Sequence, residues 1–338
     1  MSSEHDTAIS FVIPCYRSEQ TVAAVIDEIR SVVGKMDGYT YEIIAVDDNS
    51  PDHVYQVLRE LASQDPQIKA IRFAKNFGQH AGLLAGIRAS SGEYVVTVDD
   101  DGQCPLDHLK EMIEPLVEGW DVSIAQYGKK KQSWFKNLCS RANETAANML
   151  IDKPKEIQMG NYMALRRFVA DEVCNYSGPY PYLSGLFFRS SAHVINVPME
   201  ERPRMAGGTT YTLRKLFSLW MNSFTAFSIK PLRFVTYFGS FVAAVGVIYG
   251  IIVLLRKIIN PNTIVGWSSI AVLVSVLGGI TLFGLGIVGE YIGRIYMSLN
   301  SMPQYVVRDS TNMDAQTESR VRDIKSHYPY SDDTCMMR

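Results

Sequence analysis

The amino-acid sequence predicts an α/β domain with a mainly parallel sheet, followed by an amphipathic helix and a two-helix transmembrane hairpin. Between residues 9 and 98, apolar β-branched runs alternate with segments whose apolar residues recur at helical spacing, as in βαβ units. Two uncharged stretches then follow, Phe234–Leu255 and Asn262–Gly289. Each stretch is long enough to cross a hydrocarbon core of roughly 30 Å as a helix.

The βαβ pattern predicts where polar side chains gather. We expect strands at Ile9–Ile13, Tyr41–Val46, Ile68–Phe73 and Tyr94–Val98, and helices at Val22–Val33, from Val54 to Leu61, and through Leu84 and Ile87. Right-handed crossovers bring the carboxyl ends of parallel strands to one edge of the sheet. Ligands of open α/β sheets bind outside that edge.

Three consecutive acids follow the fourth predicted strand. Because alternate side chains of an extended chain face the same way, Asp99 and Asp101 are predicted to share a cleft while Asp100 points elsewhere. Two carboxylates beside a bound diphosphate would suit Mg²⁺ or Mn²⁺. A solvated acidic turn is the alternative, since acidic turns are common.

A second acidic pair, Asp47 and Asp48, follows the second strand. An acid at this position commonly holds a ribose hydroxyl or a base edge in nucleotide-binding sheets. Ser50 or Asp52 is expected to cap the next helix. No strand is followed by G-x-G-x-x-G or by G-x-x-x-x-G-K-[ST]. We therefore expect a nucleotide to be held by metal and acids and not by a glycine-rich phosphate loop.

Composition excludes several classes of protein. The 338 residues carry a net charge of −2, so no global field attracts nucleic acid. The five cysteines form no C-x-x-C pair, which fits free thiols in a reducing compartment and not a zinc site or a disulfide framework. The N-terminus lacks an apolar signal segment. The first domain is therefore expected to be cytoplasmic.

The C-terminal third predicts a membrane anchor with both termini in the cytoplasm. Basic residues lie before the first span (Arg214, Lys215, Lys230, Arg233) and after the second (Arg294, Arg308), whereas the loop between holds only Arg256 and Lys257. The positive-inside rule then puts both polar parts in the cytoplasm. The predicted organisation is a catalytic domain (1–210), an amphipathic juxtamembrane helix (211–231), a hairpin (232–296, with spans at about 234–255 and 264–289) and a largely disordered polar tail (297–338). A core helix of the soluble domain is the alternative for 211–231.

Four motifs lie at the ends of the predicted strands or just after them: Val12-Ile13-Pro14-Cys15-Tyr16-Arg17, Val46-Asp47-Asp48-Asn49-Ser50-Pro51-Asp52, Asn76-Phe77-Gly78 and Val98-Asp99-Asp100-Asp101-Gly102-Gln103-Cys104-Pro105. Together they resemble glycosyltransferase family 2, which has the GT-A fold. After the hairpin, Gly289-Glu290-Tyr291-Ile292-Gly293-Arg294-Ile295-Tyr296 resembles the polyprenyl-phosphate group of that family, which includes bactoprenol glucosyltransferase and dolichyl-phosphate mannose synthase. The resemblance covers residues 9–309.

The resemblance implies roles for individual residues. It implies that Pro14, Tyr16, Arg17 and Asp48 line the donor nucleotide, that Asp99, Asp101 and Gln103 hold metal and diphosphate, and that Asp100, Arg204 and Thr209 complete the substrate site. Asp101, Asn161 and Arg204 are the candidate catalytic residues. The family's usual Asp is Asn161 here, and the Lys of its tail motif is Thr210. A lipid phosphate is mostly dianionic at neutral pH, so it needs no general base and Asn161 would orient groups by hydrogen bonding.

The resulting hypothesis is an inverting, metal-dependent (Mg²⁺ or Mn²⁺) transfer of a sugar to polyprenyl phosphate. The expected partners are a nucleotide-sugar donor, with a UDP-sugar as the first choice, and a lipid bilayer. No nucleic acid is expected, and a homo-oligomer is compatible with the hypothesis. The location would be the cytoplasmic face of the inner membrane, with a multi-pass anchor and a product for cell-envelope polysaccharide. The alternatives are a transferase with a polysaccharide acceptor, which the absence of Gln-x-x-Arg-Trp disfavours, and a catalytically inactive membrane scaffold.

Overall fold

A computed structural model describes residues 7–128, 157–176, 178, 181, 183–203, 230–259, 266–299 and 303–322. The chain divides into two compact units. One unit comprises residues 1–220 together with 301–338, and the other comprises residues 221–300.

The first unit contains an eight-stranded sheet with the order β7-β5-β6-β4-β1-β2-β3-β8. The strands are β1 (Thr7–Cys15), β2 (Tyr39–Asp47), β3 (Ile68–Phe73), β4 (Tyr94–Thr97), β5 (Val122–Tyr127), β6 (Met163–Arg166), β7 (Val194–Met199) and β8 (Val307–Thr311). Strands β4, β1, β2 and β3 are parallel to one another. Strand β6 is antiparallel to β4 and β5, and β8 is antiparallel to β3. The predicted mainly parallel α/β sheet is confirmed.

Most of the helices described in this unit connect its strands, and the last one follows the final strand. They are α1 (Val22–Val33), α2 (Val54–Gln64), α3 (Gln79–Ala89), α4 (Leu109–Val117, after a 3-10 turn at Leu106–His108), α5 (Arg167–Cys174), α6 (Leu183–Ser190) and α9 (Ala315–Arg322). In α1 the buried residues Val22, Val25, Ile26, Ile29 and Val33 lie on one face, which is the spacing of an amphipathic helix. Its bounds match the prediction.

Helix α3 lies unusually close to β1. A Cβ atom added at Gly86 would lie only 2.3 Å from Cγ1 of Val12, so a larger residue there would push the helix off the strand. The close approach fixes α3, and with it Gln79 at the helix start, against the centre of the sheet.

The segment after the hairpin returns to the first unit. The expectation of a largely disordered tail is wrong for residues 303–322, which form β8 antiparallel to β3 and then α9. Tyr305 is fully buried, stacks on Phe73 at 5.1 Å between ring centroids and accepts a hydrogen bond from Arg88 at 3.2 Å. The polar composition of this segment gave no sign that it packs on the first unit, because only a few of its side chains are buried there.

The tail is also held by polar contacts. The Asn312 side-chain amide donates to the carbonyl oxygens of Ala62, Asp65 and Ile68. Its backbone is left-handed, with φ of 58°, a conformation that asparagine tolerates better than most residues. Gln304 is buried and donates to the carbonyl oxygens of Tyr176 and Gly178.

The described residues of the second unit form two long helices, α7 (Lys230–Ile259) and α8 (Trp267–Leu299). They contact each other where Gly284 faces Val235, whose Cγ1 would lie 3.3 Å from an added Cβ. Small residues permit such close helix packing. Large apolar side chains are exposed along both helices, Ile248 and Leu282 among them.

Within the described residues, Val276–Gly293 of α8 is long and apolar enough to cross a membrane, and Val235–Gly246 of α7 is a shorter apolar segment. The predicted two-helix hairpin is present, but only one described helix is both long and apolar enough to cross a membrane.

Replacing Tyr305 by Ala tests whether the returning tail stabilises the first unit. We expect the free energy of unfolding to fall by about 3 kcal/mol, because the substitution removes a fully buried aromatic ring and its contacts. The melting temperature of the full-length protein in detergent should fall by about 6–12 °C. Val306→Ala is the control, since Val306 is 44% exposed. An unchanged melting temperature in Tyr305→Ala would show that the tail does not contribute.

Candidate active site

The carboxyl ends of β1, β2 and β4 meet at one edge of the sheet. Cys15 pairs with Asp47 across β1 and β2, and the backbone N–H of Asp48 donates to the carbonyl oxygen of Cys15. On the other side, the N–H of Val98 donates to the carbonyl oxygen of Val12. The two acidic clusters therefore flank the loop that follows β1, as the crossover rule predicts.

Asp100 supports that loop. Its Oδ2 accepts the backbone N–H of Tyr16 at 2.9 Å, and its carbonyl oxygen accepts the Thr21 hydroxyl at 2.6 Å. Burial raises the pKa of the Asp100 carboxyl, while its hydrogen bonds oppose that shift. The Asp100 side chain thus binds the backbone of the loop after β1.

Asp99 and Asp101 have different partners. Asp99 accepts from the side-chain amides of Gln79 at 2.9 Å and Asn161 at 3.2 Å. Asp101 Oδ1 accepts the backbone N–H of Gln103 at 3.1 Å. Gly102 between them has φ of 74°, which allows the tight turn after the acids.

Gln103 joins this turn to the segment after β7. Its Nε2 donates to Oε1 of Glu201 at 2.9 Å and to the carbonyl oxygen of Arg202 at 3.1 Å. Arg202 in turn donates its backbone N–H to the carbonyl oxygen of Gln103, and its guanidinium pairs with Glu28 and Asp107. Residues 201–203 are thereby fixed beside the acidic turn.

Asp48 organises the loop before α3. Its Oδ1 accepts the N–H of Phe77 at 2.6 Å and its Oδ2 accepts the N–H of Gly78 at 2.8 Å. Burial raises the pKa of Asp48 to about 6, against the lowering effect of these two hydrogen bonds. Asp47 is fully buried, accepts the N–H of Ser50 and lies 3.3 Å from Nε of Arg72.

The residues after β1 present an exposed aromatic and a cation. Tyr16 is 44% exposed, and the Arg17 guanidinium lies 5.5 Å from the centroid of its ring. Arg17 has φ of 60° and donates its N–H to Oγ of Ser50. A non-glycine residue in this region is strained, and such strain is common at functional loops. Pro14 lies within β1, paired with Val46.

The donor atoms at the acidic turn fit a hard cation. Asp99 and Asp101 supply carboxylate oxygens, while Gln103 turns its amide nitrogen toward Glu201 and Arg202. In the described part of the chain, no group of three or more His, Cys, Asp or Glu is arranged to hold a metal ion by itself. Mg²⁺ commonly takes one or two carboxylates from the protein and its remaining ligands from substrate phosphates and water. The set therefore fits an ion that binds together with a diphosphate.

Two predicted site residues, Arg204 and Thr209, lie outside the described residues. So does 211–229, most of the predicted amphipathic helix.

Sequence reasoning missed Gln79, Glu201 and Arg202. Gln79 directly follows Asn76-Phe77-Gly78 and begins the helix after the third strand, so its position at the carboxyl edge of the sheet was the available signal. The sequence around Glu201 and Arg202 contains no motif that would identify them, because their partners are distant in sequence.

Two family models match the chain. Glycosyl transferase family 2 matches residues 10–174, and the GtrB C-terminal hairpin matches residues 230–295. An uncharacterized glycosyltransferase of Bacillus subtilis, YkcC, is 33% identical over 89% of this chain and 93% of its own length. The chain belongs to glycosyltransferase family 2. The resemblance found in the motifs is confirmed.

Further relatives carry more specific names. The bactoprenol glucosyl transferase of Shigella phage SfII is 28% identical over 89% of this chain and 98% of its own length. Among solved structures, a Mycobacterium tuberculosis glucosyl-3-phosphoglycerate synthase complex matches with a TM-score of 0.47 at 19% identity, covering 65% of this chain and 78% of that one. The family assignment rests on the sequence relatives.

The raised pKa of Asp48 predicts a pH dependence of stability. The folded protein holds this proton up to about pH 6, whereas the ordinary pKa of an aspartate is 3.8. The group's contribution therefore favours folding below pH 3.8 and is lost as the pH rises to about 6. Asp48→Asn has no such titration, so the melting temperature of the variant minus that of the wild type should increase between pH 4 and about 6 and then level off. A difference that is constant or falls over this range would contradict the assignment.

Proposed function

We propose that the protein is an inverting glycosyltransferase that moves a sugar from a nucleotide-sugar donor, a UDP-sugar, to polyprenyl phosphate at the cytoplasmic face of the membrane. The observation that carries the proposal is that both acidic segments lie against the end of β1, where the N–H of Asp48 donates to the carbonyl oxygen of Cys15 and Asp100 accepts the N–H of Tyr16. In an open α/β sheet this edge is where a nucleotide binds.

The residues at this edge of the sheet would bind different parts of the donor. Tyr16 and Arg17 offer an aromatic face and a cation to the nucleotide. Asp48 acts through the Phe77–Gly78 loop, and its carboxylate has lone pairs beyond those used by the two N–H groups. Asp99, Asp101 and Gln103 face the diphosphate.

A bound Mg²⁺ or Mn²⁺ would neutralise charge that develops on the departing diphosphate. Asp99 and Asp101 would hold that ion. The protein's own contribution is to keep both carboxylates oriented before the donor arrives, so that little reorganisation is needed during the reaction. Arg204 is proposed as a further phosphate contact.

The acceptor needs no base in this mechanism. A phosphate oxygen attacks the anomeric carbon, the bond from that carbon to the diphosphate oxygen breaks, and the nucleoside diphosphate leaves with the electron pair. One such displacement inverts the anomeric centre. Since a phosphate monoester has a second pKa of about 6, the attacking oxygen carries no proton at neutral pH. Asn161, which donates to Asp99, then orients the site and removes no proton.

The proposed acceptor is supported by the relatives and by chain connectivity. Bactoprenol glucosyl transferases match most of the chain, and the GtrB C-terminal hairpin matches residues 230–295. Residues before and after the hairpin belong to one folded unit, so a membrane-inserted hairpin must enter and leave on the same side. We therefore propose a multi-pass anchor in the inner membrane with both termini cytoplasmic.

A transfer assay tests the proposal. Full-length protein in detergent is given a short polyprenyl phosphate, Mn²⁺ or Mg²⁺, and a panel of UDP-, GDP- and dTDP-sugars, with lipid-linked sugar detected by mass spectrometry. We expect a metal-dependent product whose anomeric configuration is inverted. Asp101→Ala should lower the rate at least a hundredfold, as removal of a group that stabilises transition-state charge typically does.

Asp37→Ala is the matched control, because Asp37 is an exposed acid in the turn before β2 and should leave the rate unchanged. Donor binding without any lipid product would contradict the acceptor assignment. Absence of donor binding would favour the membrane scaffold.

A further inference from the structure

The Asp99 carboxylate lies between two side-chain amides. Gln79 Nε2 donates to Oδ1 at 2.9 Å, and Asn161 Nδ2 donates to Oδ2 at 3.2 Å. The donors come from different parts of the fold, since Gln79 begins α3 and Asn161 precedes β6. One donor on each oxygen fixes the plane of the carboxylate.

The backbone that carries Gln79 is itself held on several sides. Asp48 accepts the N–H groups of Phe77 and Gly78, the two residues that precede Gln79. Further along α3, Gly86 allows the close approach to β1. At the end of the helix, the buried Arg88 donates to the Tyr305 hydroxyl and to the carbonyl oxygens of Cys174 and Tyr176. Gln79 therefore extends from a fixed helix.

The neutrality of both donors matters for a cation site. An amide orients a carboxylate by hydrogen bonding without cancelling its charge, whereas Lys or Arg in the same place would compete with a metal ion. A carboxylate at position 161 would instead place a like charge beside Asp99. The amide at Asn161 thus suits the same function as the amide at Gln79.

We infer that Gln79 is a positioning residue that, with Asn161, orients Asp99 toward the metal–diphosphate group of the donor. The inference rests on the proposed function, which supplies that group. Gln79 acts through Asp99 and touches no reacting atom.

The experiment is a double-mutant cycle on Gln79 and Asp99 in the full-length protein. The affinity for Mn²⁺ in the presence of saturating UDP is measured by electron paramagnetic resonance, alongside kcat and KM of sugar transfer. Gln79→Ala should weaken Mn²⁺ binding about fivefold to tenfold, the size expected when one hydrogen bond to a charged group is lost at an exposed position. In the Asp99→Ala background, the same substitution should change Mn²⁺ affinity less than twofold.

Gln56→Ala is the matched control, because Gln56 is an exposed glutamine in the first turn of α2. It should leave Mn²⁺ affinity and transfer unchanged. Gln79 is also exposed, so the melting temperature of Gln79→Ala should stay within about 2 °C of the wild type.

The outcomes separate the two proposals. If the wild type transfers sugar and Gln79→Ala binds Mn²⁺ with wild-type affinity, the inference is wrong and the proposed function stands. An equal loss of affinity in the wild-type and Asp99→Ala backgrounds would also overturn it, because Gln79 would then act independently of Asp99. A wild type without UDP-dependent Mn²⁺ binding would contradict both.

Discussion

Carboxylates that accept backbone N–H groups, one buried (Asp48) and one half-buried (Asp100), hold the candidate site together. Asp48 holds the loop before α3, and Asp100 holds the loop after β1. A buried carboxylate without such partners would be costly, so each acid and its loop stabilise one another. Asp99 and Asp101 of the neighbouring turn instead accept hydrogen bonds from side-chain amides and from the backbone of the turn itself. Acids adjacent in sequence thus have two different physical tasks.

The residues that follow the hairpin fold into the first unit. Tyr305 and Asn312 attach residues 303–322 to β3 and to the end of α2. Arg88 then connects Tyr305 to α3, the helix that begins with Gln79. Both ends of the hairpin therefore connect to one folded unit.

Sequence reasoning reached β1–β4, α1–α3 and the acidic turns, since periodicity and crossover rules determine them, but it did not predict β5–β8 or the later helices of the first unit. It assigned Asp48 to the nucleotide but did not reveal the two N–H groups that this side chain accepts. It also missed the docked tail. Tyr305 and Asn312 contact residues more than two hundred positions away, and local pattern carries no information about such pairs. The contacts of Arg202 with Glu28 and Asp107 were missed because these partners are also distant in sequence.

The most direct test of this account is a structure of the full-length protein bound to Mn²⁺ and UDP, with the ion located by anomalous scattering. The account predicts Mn²⁺ bound to the diphosphate and to carboxylate oxygens of Asp99 or Asp101, and the uridine beside Tyr16 and the Phe77–Gly78 loop. Asp100 should keep its hydrogen bond to Tyr16. A nucleotide bound elsewhere, or an ion held by Asp100 with Asp99 and Asp101 turned away, would contradict it.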